Sequence, residues 1–95
     1  MFKVGDRVVL TEESRQGCNI FHEHPGDIAT VIGVSQVASR SGYECVLEFD
    51  RSVGGHDGLP SAKGKNGHCV IYYFHSTQWD RYFRKIQIKR KNNYY

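Results

Sequence analysis

From Tyr43 to Phe49 the chain alternates without a break: Tyr43, Cys45, Leu47 and Phe49 fall on one side, Glu44, Val46 and Glu48 on the other. A period of two belongs to a strand with one face buried and one wet; wound into a helix, the same residues would scatter their apolar groups around the cylinder. The complementary pattern, apolar residues at i, i+3, i+4 and i+7 over a dozen positions, occurs nowhere, so no helix longer than one or two turns is expected. Short strands separated by turn residues account for the rest. Residues 6–10 carry β-branched Val8 and Val9 behind the turn-prone Gly5-Asp6, and residues 27–34 start at Pro25-Gly26 and are apolar on both faces. Residues 68–74 are nearly continuous in apolar and aromatic side chains, while residues 84–89 alternate Ile86 and Ile88, facing a core, with Lys85, Gln87 and Lys89.

The connections between these five strands differ in length. About sixteen residues, Thr11 to Gly26, join the first pair; Ser35 to Gly42 join the next; Asp50 to Gly67 form a second long loop. The segment from His75 to Trp79 has the length of one helical turn, with Ser76 or Thr77 as a cap. This order predicts an all-β, five-stranded Src-homology-three-like barrel with two long loops and a short helical turn before the last strand. Residues 1–90 read as one domain and residues 91–95, without periodicity, as a frayed tail.

Two sets of motifs resemble known families. Val4-Gly5-Asp6 at the first strand and Pro25-Gly26-Asp27 at the second are similar to the opening of small KOW and Src-homology-three-like barrels. Gly55-His56-Asp57-Gly58 followed by Gly64-Lys65-Asn66-Gly67-His68-Cys69 resembles small phage and bacterial barrel proteins distantly like the mind-bomb/Herc type domain; this chain has Val70 where that pattern places Trp. The resemblance spans residues 3–74. It implies a barrel of phage or prophage type and no particular activity.

Composition narrows the function classes. At 95 residues the chain has room for one small core, and 39% hydrophobic with 24% charged residues is the balance of a folded domain. The longest apolar runs fall far short of the roughly 18 residues that cross a bilayer, so no membrane role is expected. Three cysteines, Cys18, Cys45 and Cys69, show no C-x-x-C spacing, which points to a reduced, cytoplasmic setting, the host's if the chain is phage-encoded. Net charge is +3 but uneven: residues 1–50 hold four Lys/Arg against eight Asp/Glu, residues 51–95 nine against two. Placed on the strands, this split predicts a basic face around the fifth strand and an acidic one around the third strand and first loop.

Each candidate chemistry has a plainer counterpart. The loop from Ser52 to Gly67 holds five of the ten glycines together with His56, Asp57, Lys63 and Lys65. It fails as a phosphate loop, because five residues separate Gly58 from Gly64-Lys65 and Asn66 follows; the simpler reading has His56, Asp57 and His68 tying its backbone down. Cys18, His22 and His24 lie within seven residues, a candidate zinc half-site lacking a second pair at a familiar spacing. No cysteine has the surroundings of a nucleophile, and Glu12, Glu13, Glu23 and Asp27 read as solvated loop carboxylates. An enzyme is therefore not expected, nor are a cofactor or a small-molecule substrate.

Two binding readings remain. The leading one is a protein-interaction module, docking on a host or phage protein through His56, Asp57, Lys63 and Lys65 of the Gly-rich loop and through Tyr72, Trp79 and Tyr82, aromatics in excess of what a small core buries. The alternative is a sequence-tolerant DNA or RNA binder, with Arg81, Arg84, Lys85, Lys89, Arg90 and Lys91 on phosphates and interleaved aromatics on bases.

Overall fold

A computed structural model describes residues 2–36 and 42–86. The strands are β1 (Arg7–Leu10), β2 (Ile28–Gln36), β3 (Tyr43–Phe49), the two-residue β4 (Gly58–Leu59) and β5 (Ala62–Lys63), β6 (Cys69–Phe74) and β7 (Phe83–Lys85). A 3₁₀ turn, Glu12–Gln16, and one helix, α1 (Ser76–Tyr82), complete the described elements. Five strands form an antiparallel sheet in the order β6-β3-β2-β1-β7, and β4 and β5 pair apart as a ribbon.

β6 and β7 are the two ends of that order, yet the rings of Tyr72 on β6 and Phe83 on β7 are 5.6 Å apart. The sheet therefore curls until its edges face each other across one core. Trp79 of α1 fills the space between them, 5.0 Å from Phe74 and 5.0 Å from Phe83, centroid to centroid. Val8, Leu10, Ala29, Val31, Cys45, Leu47, Phe49, Val70 and Tyr72 supply the inner surface.

The alternation of β3 is realised as read: Cys45, Leu47 and Phe49 are buried, and Glu44 and Glu48 stay partly exposed. Val46, on the outer face, is buried as well. The reason is a β-bulge in β2. Val31 pairs with Leu47 but Gly33 with Val46, leaving Ile32 extra. Before the bulge Ala29 and Val31 point inward; after it Val34, opposite Cys45, packs on the core while Gly33 lies outside. A Cβ on Gly33 would sit 2.8 Å from Ala62 Cβ, so the missing side chain lets the β4–β5 ribbon lie down over Val46.

Several expectations shift. The ribbon and the 3₁₀ turn lie inside segments read as loops. The helical segment extends through Tyr82 and has His75, rather than Ser76 or Thr77, at its N-cap; Gln78 Oε1 accepts the His75 N–H at 3.0 Å. In the last strand Phe83 is the core residue and Ile86 only half-buried, although the Ile86 N–H still reaches the Arg7 carbonyl at 2.8 Å. Gln87, Ile88, Lys89, Arg90, Lys91 and the rest of the expected tail lie outside the described residues. Among those described, no helix is long and apolar enough to cross a membrane.

Candidate functional site

The Gly-rich loop is a folded cover. His56 pairs with Cys69 in both directions, N–H to carbonyl at 2.9 and 3.0 Å, which anchors the loop to the start of β6. Gly55 makes this approach possible, since a Cβ there would fall 2.2 Å from the Cys69 carbonyl oxygen. His56 Nδ1 accepts the Gly58 N–H at 2.9 Å, and Glu48 accepts the Lys65 N–H at 2.7 Å. His68 Nδ1 donates to the Phe49 carbonyl at 2.8 Å. Asp57 pairs with Lys63 at 3.3 Å; Lys63 and Lys65 both extend into solvent. The plainer reading of this loop thus holds for His56 and His68, while Asp57 engages a side chain.

Where the ribbon crosses the outer face it leaves an open groove of about 310 Å³, walled by Val4, Ile32, Val34, Val46, Leu59 and Ala62, with Glu44, Ser35 and Ser61 as its polar members. Val4, at 62% exposure, is among the most exposed large apolar side chains described. The expected aromatic half of the docking face is elsewhere: Tyr72, Trp79 and Tyr82 are buried. The curled sheet absorbs more rings than the length of the chain suggested, because α1 closes its open end with aromatic side chains. Trp79 also donates its indole N–H to the Tyr43 carbonyl at 3.2 Å.

The first loop is strapped to the second. Arg51 forks onto Asp27 at 2.9 and 2.6 Å and donates to the His22 carbonyl at 2.6 Å, and His22 N–H reaches the Val53 carbonyl at 2.9 Å. Burial pulls the Asp27 carboxyl upward, but the Arg51 guanidinium and the His24 N–H outweigh it and hold it below its ordinary value. A second fork, Arg7 on Asp50 at 2.6 and 2.7 Å, depresses Asp50 by direct hydrogen bonding. Phe21 meets the His56 ring edge-on at 6.2 Å.

Glu23 does not belong with the solvated carboxylates. It is 4% exposed, accepting the Phe21 N–H at 2.6 Å and the Tyr72 hydroxyl at 2.5 Å. The buried hydroxyl of Tyr72 thereby finds the acceptor a core tyrosine requires. Nothing in the sequence announced Glu23 or Arg51 in these roles.

Of the candidate zinc half-site, Cys18 is buried, His22 lies against Gly54 and His24 is exposed. No group of three or more His, Cys, Asp or Glu among the described residues is placed to hold a metal ion. Burial, and after it the Glu23 charge, pushes the Cys18 thiol up to about 12; burial and the Glu44 charge do the same to Cys45. Among the basic residues, Lys85 pairs with Asp6 at 3.4 Å, whereas Arg81 and Arg84 are exposed with no ion pair among the described residues. Lys89, Arg90 and Lys91 fall outside them. The chain, set against known proteins, matches no family model, no curated protein and no solved structure.

Proposed function

We propose that this chain is a Src-homology-three-like barrel of the phage and bacterial type its motifs resemble, and that it works in the cytoplasm as a non-catalytic module that docks on a protein partner. The strand order supports the fold reading, with consecutive antiparallel neighbours and a last strand that returns past a helix to pair with the first. The observation that carries the function is the open groove between the β4–β5 ribbon and the sheet, its lining part aliphatic and part polar. Its mixture of aliphatic wall and a few polar groups suits an apolar anchor side chain from a protein segment. His56 and Asp57 fix the ribbon that forms one wall, Asp57 through its exposed pair with Lys63, and Lys65 stands in solvent beside it, available to a partner's carboxylates. With Trp79, Tyr82 and Phe83 in the core, Arg81 and Arg84 have no stacking platform from these rings, so the basic side has less to offer an unpaired base.

A photo-crosslinking residue at Ser61 in the groove, and separately at Arg84, tests this in the expressing cell. A discrete protein adduct at Ser61, absent at Arg84 and reduced roughly tenfold or more by Leu59→Asp, is the expected result. Adducts confined to Arg84, or affinity for a DNA or RNA fragment that falls steeply with salt and is lost in Arg81→Ala with Arg84→Ala, would place the activity on nucleic acid instead.

A further inference from the structure

A second cavity, about 250 Å³, opens in the first loop; Cys18 and Glu23 are its buried lining, and Phe21, Pro25, Arg15 and His24 stand nearer solvent. The Glu23 carboxylate accepts two hydrogen bonds, both from uncharged donors, where a carboxylate has about four acceptor positions. None of the ion pairs among the described residues includes it. A carboxylate largely withdrawn from water gains from a cation brought into direct hydrogen-bond contact with it. The loop's own arginines make their direct contacts elsewhere, Arg15 with Glu12 at 2.9 Å and Arg51 with Asp27 at 2.6 Å, and Arg51 acts on Glu23 only through its charge. His24 lines the cavity, but no hydrogen bond joins its ring to Glu23 among the described residues. Next to the opening, Ile20 is 58% and Phe21 37% exposed, an apolar pair set in an otherwise polar loop.

We infer that this cavity receives an arginine or lysine side chain of a protein partner, its charged head at Glu23, its aliphatic stem along Phe21 and Pro25, and its apolar neighbours on Ile20. Stem and head of such a side chain match an apolar wall ending at a carboxylate. The site shares no residue with the groove beneath the ribbon, so either can fail without the other.

The test is a titration of the ¹⁵N-labelled protein, followed by amide shifts, with four probes. These are N-acetyl-arginine amide, its uncharged analogue N-acetyl-norleucine amide, free ethylguanidinium, and a capped Leu-Arg-Leu peptide. Saturable shifts confined to the amides of Cys18, Phe21, Glu23 and Tyr72 are expected with the arginine probe and not with norleucine. The tripeptide is expected to bind roughly ten times more tightly than ethylguanidinium, reflecting contact with Ile20 and Phe21. In Glu23→Gln, whose shape is nearly unchanged, the arginine shifts should vanish. Should that variant fail to fold, the comparison of arginine with norleucine on the unaltered protein decides alone. Equal shifts from both, or none from either in the millimolar range, overturn the proposal; ethylguanidinium binding as tightly as the peptide overturns its assignment to a protein partner.

Discussion

Trp79 meets four rings, those of Phe2, Tyr72, Phe74 and Phe83, from a helix of only seven residues. Replacing it with alanine removes that contact surface and strips the Tyr43 carbonyl of its donor. We expect Trp79→Ala to cost about 3–5 kcal/mol in a urea melt, a large part of a small domain's stability. Loss of partner capture in that variant would accordingly report unfolding and say nothing of a surface contact. Gly55→Ala is expected to lower the melting temperature, because its Cβ must push the Cys69 backbone away and break the His56 pairing; an unchanged melt would contradict the close approach. The thiols give a reactivity prediction. With Cys18 and Cys45 pushed up to about 12 and Cys69 also raised, chiefly by burial, all three remain protonated at pH 8. A thiol-exchange reagent should therefore label the denatured chain far faster than the native one; fast labelling of the native chain would show that they are accessible.

At the scale of elements, the β4–β5 ribbon has two residues per strand and one exposed ion pair, Asp57–Lys63, a contact worth little on its own. Its position depends on Ala62, buried over Gly33 and Val46. We expect Ala62→Asp to lift the ribbon, raise hydrogen exchange at the Gly58 and Gly64 amides, and abolish groove crosslinks while the five-stranded sheet survives by circular dichroism. The sequence made β3 legible because one of its faces is wet, and it made β6 legible because a run of apolar residues between turn signals has few other uses. The ribbon could not be read: Gly58-Leu59 and Ala62-Lys63 are too short to show a period, and they form because the Gly33 bulge, far away in sequence, leaves a shelf for them. The groove was invisible for the same reason. Glu23 was misread as solvated because an acidic residue in a polar loop looks the same whether water or Tyr72 is its donor.

For the molecule as a whole, two ion pairs among the described residues tie the basic half of the chain to the acidic one. Arg7, from the acidic half, holds Asp50, while Arg51 reaches back from the basic half to Asp27 and Lys85 to Asp6. These pairs set a pH dependence. Asp50 is lowered first by its Arg7 hydrogen bonds; Asp6 first by the Lys3 N–H and further by Lys85; Asp27 by Arg51 and His24, against burial. A carboxyl whose folded pKa lies below its unfolded value stabilises fully above the unfolded value and loses that contribution as pH falls through the folded one. The melting temperature is thus expected to be level between about pH 7 and pH 5 and to drop below about pH 4. Asp50→Asn should lower the plateau slightly and flatten the acid limb; an acid limb as steep as that of the unaltered protein would show that the Arg7 fork contributes nothing.

The strapping of the two long loops also bears on how the protein moves. The carbonyl of His22 is held by Arg51, its N–H by Val53, and Gly67 accepts from Val53 and Gly55, so a single run of hydrogen bonds passes from one loop into the other. Loops of such length would separately be expected to open one at a time. Bonded together, they are expected to open as one cooperative unit: hydrogen exchange should give the amides of His22, Val53 and Gly55 one common rate that Arg51→Ala raises for all three, and separate rates would show that the loops open independently.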